Sequence, residues 1–213
     1  MGREYLLLGA RKGGCSSHYH GLSLFQNRFS FYLHNMNSDP TSKIQDFLKH
    51  ILATLDSTFT QNPGLFNNDI NVFKARILPQ LKTQAAIVLN GTPYGSRTQF
   101  QDIWFSVPTT QHSLLSYDAH LIPGSGSYLI QASLKIRFDE TGVSKSGESC
   151  SLLPVVPVPR LPSASTRSQW SPWFGLSLTM VVDETINTGF DIECISSFNW
   201  RITYIPEKSV YEF

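Results

Sequence analysis

Charge and cysteine are both scarce in this sequence. Asp, Glu, Lys and Arg make up only 15% of the 213 residues, well under the usual quarter. They nearly cancel, leaving a net charge of +1, so general polyanion binding is not built into the composition. The cysteines, Cys15, Cys150 and Cys194, are widely spaced and form no CxxC pair. That excludes a disulfide framework and a cysteine zinc site, and it favours a reducing compartment. No apolar run approaches the ~20 residues of a membrane span, and Tyr5–Leu8 is too short for a signal-peptide core. Asn90-Gly91-Thr92 is formally a glycosylation sequon, discounted without a secretion signal. Leu6 stands where myristoylation would want Ser or Thr. Aromatics, by contrast, are plentiful, with 14 Phe, 8 Tyr and 4 Trp. A chain of this length and apolar content buries a real core and is not disordered as a whole. Its low charge and many rings suit a surface that a partner covers.

Residues 1–35 read differently from the rest. Arg3, Arg11, Lys12 and Arg28 face only Glu4. Phe25, Phe29, Phe31 and Tyr32 follow no clean period. Three readings stay open: a transit peptide, an extension upstream of a true start at Met36, or a functional arm. In each the segment is expected to be poorly ordered and dispensable to the domain that follows. A helix over 41–56 is the clearest element. Ile44, Phe47, Leu48, Ile51, Leu52 and Leu55 form one apolar stripe, with Ser38 or Asp39 as cap and Pro40 in the first turn. After the loop Gln61-Asn62-Pro63-Gly64, a second helix carries Phe66, Ile70, Phe73 and Ile77. It is capped by Asn67 or Asn68 and ended by Pro79.

The period then changes. Ala85–Asn90 reads as a short buried strand, and 95–106 as a helix bearing Phe100, Ile103 and Trp104. Residues 109–122 and 127–138 read as long strands joined by Pro123-Gly124-Ser125-Gly126. In the second of these, Tyr128, Ile130, Ala132, Leu134, Ile136 and Phe138 alternate with Gln131, Ser133, Lys135 and Arg137. Phe174–Val182 and Ile195–Ile205 repeat this alternation, the latter with Phe198, Trp200, Ile202 and Tyr204 on one face. The segment 140–171 has Pro at 154, 157, 159 and 162, and no period; a loop of roughly thirty residues is functional or disordered. Helices gathered beside long strands predict an α+β fold, with helices on one side of a curved antiparallel sheet. Residues 36–213 form its single domain.

Candidate chemistry is thin. Gly124-Ser125-Gly126 lacks the third glycine and the following helix of a phosphate loop, so it reads as a hairpin turn. Asp118 and His120 share a strand face and could act as base and acid. The plainer reading is a solvated carboxylate and a hydrogen-bonded histidine. A pocket enzyme of dehydratase or isomerase type would need an open cavity holding Asp118, His120 or Tyr94. No triad or metal spacing is present, and no cofactor is called for. His18 and His20 carry nothing. Lys145, Arg160 and Arg167 make the long loop mildly basic and are the candidate RNA-phosphate contacts. A stand-alone RNA-binding protein would cluster its cations, and these are spread. The sheet face carrying Gln131, Ser133, Lys135, Arg137, Thr179, Asn199, Arg201 and Thr203 must meet water or a partner. Arg201 there can pair bidentately with a partner carboxylate.

Several stretches carry a resemblance: Ile87–Tyr94 (IVLNGTPY), His120–Gly126 (HLIPGSG), Lys135–Gly142 (KIRFDETG), Trp170–Leu178 (WSPWFGLSL) and Phe198–Ser209 (FNWRITYIPEKS). From about residue 36 onward the sequence resembles the mRNA transport regulator 2 family. Its members are small subunits of the fungal heterodimeric mRNA export receptor, counterparts of animal p15, with the nuclear transport factor 2-like fold. The resemblance implies a non-enzymatic protein of the nucleus and nuclear pore that shuttles to the cytoplasm. It also implies pairing with the large receptor subunit through the sheet face and binding of phenylalanine–glycine nucleoporins. The cargo would be messenger ribonucleoprotein and the large ribosomal precursor, with the long loop as an RNA contact.

Overall fold

Alternation in three long strands and one apolar stripe on the first helix together dictate a sheet with a dry side and a wet side. The computed structural model describes residues 40–61, 63–150, 170–207 and 209. The 1–35 arm, the proposed caps Ser38 and Asp39, and Arg160 and Arg167 lie outside the described residues.

Helix α1 spans Thr41–Asp56 and buries Ile44, Phe47, Leu48, Ile51, Leu52 and Leu55, the predicted stripe. Pro40 occupies its N-cap and gives no side-chain cap. The second helix is much shorter than expected. Phe66 belongs to a 3-10 turn over Pro63–Phe66, and α2 covers only Ile70–Ala75. Its cap is Asp69, which accepts from the Asn71 N–H. Asn67 and Asn68 instead take left-handed φ values of 52° and 57°, a role Asn tolerates better than most residues.

Strand β1 (Leu81–Leu89) starts four residues before the expected Ala85 and turns through Asn90-Gly91 into β2 (Thr92–Tyr94). Asn90 and Gly91 both have positive φ, the geometry an Asn-Gly hairpin supplies at little cost. The Asn90 carboxamide oxygen accepts from the Ile202 N–H at 2.7 Å. Helix α3 (Arg97–Ser106) is capped by Ser96, whose hydroxyl accepts from the Gln99 N–H. Strands β3 (Thr110–Ile122), β4 (Ser127–Phe138), β5 (Phe174–Asp183) and β6 (Ile195–Tyr204) follow. Gly124 and Gly126, with φ of 73° and 64°, make the β3–β4 turn.

The order across the sheet is β2-β1-β6-β5-β4-β3. The β1–β6 pair is parallel and the other pairs are antiparallel, so the sheet is mixed rather than wholly antiparallel. Helix α1 crosses β3, and α3 packs on β1. The dry face carries Ile130, Leu134, Ile136, Leu176, Leu178, Met180, Phe198 and Trp200, all buried. Phe100 lies edge-on to Phe198 at 5.5 Å, and Trp104 edge-on to Trp200 at 5.6 Å. The Trp104 indole N–H donates to the Leu55 carbonyl at 3.0 Å, a helix-end acceptor that the Thr110 hydroxyl also reaches at 3.2 Å. The predicted inward alternation of β6 fails at its end. The register slips between Gly175 and Leu176, and Tyr204 is left 58% exposed.

Truncating Phe198 at the centre of this layer should cost roughly 3–5 kcal/mol. Urea unfolding of Phe198→Ala checks this, and a loss under about 1 kcal/mol would show that the layer can collapse to fill the gap.

Candidate functional site

The wet face is a continuous surface because the strand registers align its residues in rows. One row runs Asp118, Gln131, Thr179, Asn199, Val88, Pro93 from β3 to β2. The next runs Ser116, Ser133, Ser177, Arg201. Lys135 and Thr203 lie beyond, flanking Gly175, where an added Cβ would come within 2.9 Å of the Thr203 hydroxyl. Gln131, Ser133, Lys135, Asn199, Arg201 and Thr203 are exposed, and Thr179 and Arg137 are half-buried. Arg201 thus stands in a field of hydroxyls and carboxamides, facing outward with exposed donors.

Arg137 shares the face but is already engaged. Its guanidinium lies between the rings of Trp170 and Trp173, 4.9 and 4.7 Å from their centroids. Its Nε donates to the Gln111 Oε1 at 2.7 Å. The two tryptophans come from the returning end of the long loop. Ser171 holds that end to β4: its N–H donates to the Phe138 carbonyl, and its hydroxyl accepts from the Phe138 N–H. Arg137 therefore fastens a loop to the sheet edge, a task its place in the alternation does not reveal.

Lys145 is the clearest correction. Expected to be a solvent-facing RNA contact, it is fully buried at 0% exposure. Its Nζ donates to the Thr110 hydroxyl at 2.9 Å and lies 5.9 Å from the Trp104 ring centroid. Burial pushes its amine down to about 7, against the opposing pull of the Asp56 carboxylate. No phosphate can reach it. Residues 139–150 around it are likewise folded rather than loose. The Phe59 N–H donates to the Lys145 carbonyl, and the Lys145 N–H to the Val107 carbonyl. Short bridges join Pro108 to Ser144 and Val143 to Ser149. Only 151–169 of the expected long loop lies outside the described residues.

Asp56, Thr110 and His112 complete this buried cluster. The Asp56 carboxylate accepts from the Thr110 hydroxyl at 2.9 Å and from the His112 N–H at 2.8 Å. It also meets the His112 Nδ1 at 2.5 Å. The His112 side chain is fully buried, and its Nε2 has no partner among the described residues. None of these was singled out in the sequence. The available signal was parity: Thr110 and His112 are polar residues on the inward-facing positions of β3, paired with Phe138 and Ile136.

Among the described residues, the groups of the pocket-enzyme reading are not brought together. Asp118 and His120 sit in rows of the wet face, exposed and outside the helix-covered interior. Tyr94 is half-buried against the core. The interior that would hold a substrate is filled by Phe100, Trp104, Phe198 and Trp200. A shallow groove of about 620 Å³ between α1 and β3 contains Asp118 but neither His120 nor Tyr94.

The two arginines of the wet face should behave differently in the isolated protein. Arg137→Ala loses two ring contacts worth roughly 0.5–1 kcal/mol each at a partly exposed site, so stability should fall by about 1–2 kcal/mol. Arg201→Ala should stay within about 0.5 kcal/mol, as surface changes do. Urea denaturation of both variants checks this, and equal losses would refute the distinction.

Residues 38–213 match the family model described as nuclear pore RNA shuttling protein Mtr2. The chain is 36% identical over 185 residues to an mRNA transport regulator MTR2 of Candida albicans, covering 82% of this chain and 98% of that one. It is 33% identical over 176 residues to an mRNA transport regulator MTR2 of Saccharomyces cerevisiae, covering 77% and 87%. Among solved structures, Candida albicans Mtr2 superposes with a TM-score of 0.65 at 34% identity, covering 80% of this chain and all of that one. The Mtr2 chain of the Candida albicans Mtr2–Mex67 M domain complex gives the same score at 35% identity, with the same coverage. The α+β, nuclear transport factor 2-like architecture expected from the sequence is the one found, and the chain belongs to the Mtr2 family of nuclear pore RNA shuttling proteins.

Proposed function

We propose that this chain is the non-catalytic small subunit of a heterodimeric mRNA export receptor. It pairs, through the wet face of its sheet, with the nuclear transport factor 2-like domain of a large subunit. The observation that carries this reading is the aligned, uncovered face built around Arg201, with Gln131, Ser133, Thr179, Asn199 and Thr203 as its polar neighbours. A Candida relative at 35% identity is known in complex with the Mex67 M domain, which supports the choice of partner. A face of this kind needs a partner that offers hydrogen-bonding groups and at least one carboxylate. A planar guanidinium then supplies bidentate specificity that an ammonium cannot. Lys135 belongs to the rim of the same face, and Arg137 contributes through the loop it holds.

The receptor acts at the nuclear pore, shuttles between nucleus and cytoplasm, and binds phenylalanine–glycine repeats of nucleoporins. Its cargo is messenger ribonucleoprotein and, through the loop, the large ribosomal precursor. With Lys145 buried, the RNA contact rests on Arg160 and Arg167.

The partner reading is tested by co-purification with the large subunit. Wild type should run as a 1:1 complex in sedimentation, and Arg201→Glu should weaken binding by at least tenfold, since a like charge now faces the partner carboxylate. A wild-type monomer that ignores the large subunit overturns the reading. The loop is tested on the heterodimer by RNA binding across a salt series. Replacing Arg160 and Arg167 with Ala should reduce the salt slope by between one and two, with partner affinity unchanged; an identical slope removes the loop from RNA contact.

A further inference from the structure

A lysine with no exposed surface is an expensive thing to keep, and here it sits where three parts of the chain meet. Lys145 belongs to the folded start of the long loop. Its backbone N–H reaches Val107, just before β3, and its carbonyl receives Phe59, just after α1. Its amine is given one acceptor, the Thr110 hydroxyl, which itself donates to Asp56. A neutral amine with one good acceptor is tolerable in this setting; an ammonium leaves two further protons with no hydrogen-bond acceptor among the described residues, with only the Trp104 ring face and the Asp56 charge to attract it.

We propose that Lys145 is a proton-controlled latch that closes the base of the long loop onto the end of α1 and the start of β3. Closed, the amine is neutral and the 139–150 segment is seated. When that segment lifts, the amine reaches water and takes a proton, so proton uptake favours opening. The lysine is thus a conformational control on the loop and stands apart from the partner face; the proposal is independent of which partner or RNA the protein binds.

The sign follows from the two states. Open, Lys145 is an ordinary lysine at 10.5; closed, burial holds it near 7. Between those values opening takes up a proton, so the closed form gains about tenfold per pH unit as pH rises. Below about 7 both states are charged and the dependence levels off. The other titratable groups around the amine act differently. Asp56 at the end of α1 attracts the ammonium and favours charge in the closed state. On β3 the His112 Nδ1 meets the Asp56 carboxylate, and its Nε2 is buried with no hydrogen-bond partner among the described residues. The Cys150 thiol donates to the Ser106 carbonyl. Arg97 and Asp102 of α3 are paired elsewhere, with Glu193 and Lys74, and Glu148 is exposed.

The test is hydrogen exchange of the full chain between pH 6 and 9, corrected for intrinsic exchange. The amides of Phe59 and Lys145 report the latch, and those of the β4–β5 ladder serve as control. In wild type, protection of the two latch amides should rise about tenfold per unit from pH 7.5 to 9 and stay level below 6.5. In Lys145→Met it should be flat throughout. Flat wild-type protection overturns the latch, as does a slope shared by the β4–β5 amides or one that persists in Lys145→Met. A slope that disappears only in His112→Gln assigns the control to the histidine and also overturns it. Should Lys145→Met not fold, the lysine ε-carbon resonances of wild type decide by themselves: one must titrate near neutrality, and if all titrate together above pH 10 the proposal fails.

Discussion

The packing of this molecule depends on one side of the sheet being full. Trp104 is wedged between the end of α1, whose Leu55 carbonyl it satisfies, and Trp200 on β6, while Phe100 meets Phe198 beside it. Close-packed rings fill the space between these helices and the sheet. That side is a solid layer, and the exposed polar rows lie on the outer face. A fold does not by itself choose a use; the side chains that fill and line it do.

The outer face is held to its task by what surrounds it. Arg201, with its exposed donors, stands among hydroxyls and carboxamides, whereas Arg137, two rows away, is spent on two tryptophans. Identical residue types on one face thus divide into one left exposed and one that fastens a loop end. The fastening matters because both roots of the long loop are tied to the body, one by Arg137 and Ser171 and the other by Lys145. Whatever residues 151–169 contact, they start from anchored ends.

Those two anchors differ in kind. The tryptophan clasp relies on a permanently charged guanidinium, whose attraction to ring faces persists at every physiological pH. The lysine anchor relies on a group that burial has brought close to neutrality, and such a group is sensitive where an arginine would not be.

Much of this was legible in the residues alone. The stripe of α1 and the alternation of β4, β5 and β6 have periods set by backbone geometry, so inward and outward residues could be assigned by counting, and the face around Arg201 followed directly. The Asn-Gly and Gly-Ser-Gly turns carry their own conformational demands and were visible for the same reason, although β2 beyond the first was not. What escaped had its cause elsewhere in the chain. The early start of β1 reflects pairing with a strand more than a hundred residues away. The slip that exposes Tyr204 is a register effect with no local signature. Lys145 was misread because a cation in a polar, proline-flanked segment looks solvated until the fold closes Trp104, Thr110 and Asp56 around it. Periodicity and turn chemistry are local properties and are written in order along the chain; the burial of a single side chain is decided by which distant segments meet it, and only the tertiary structure holds that information.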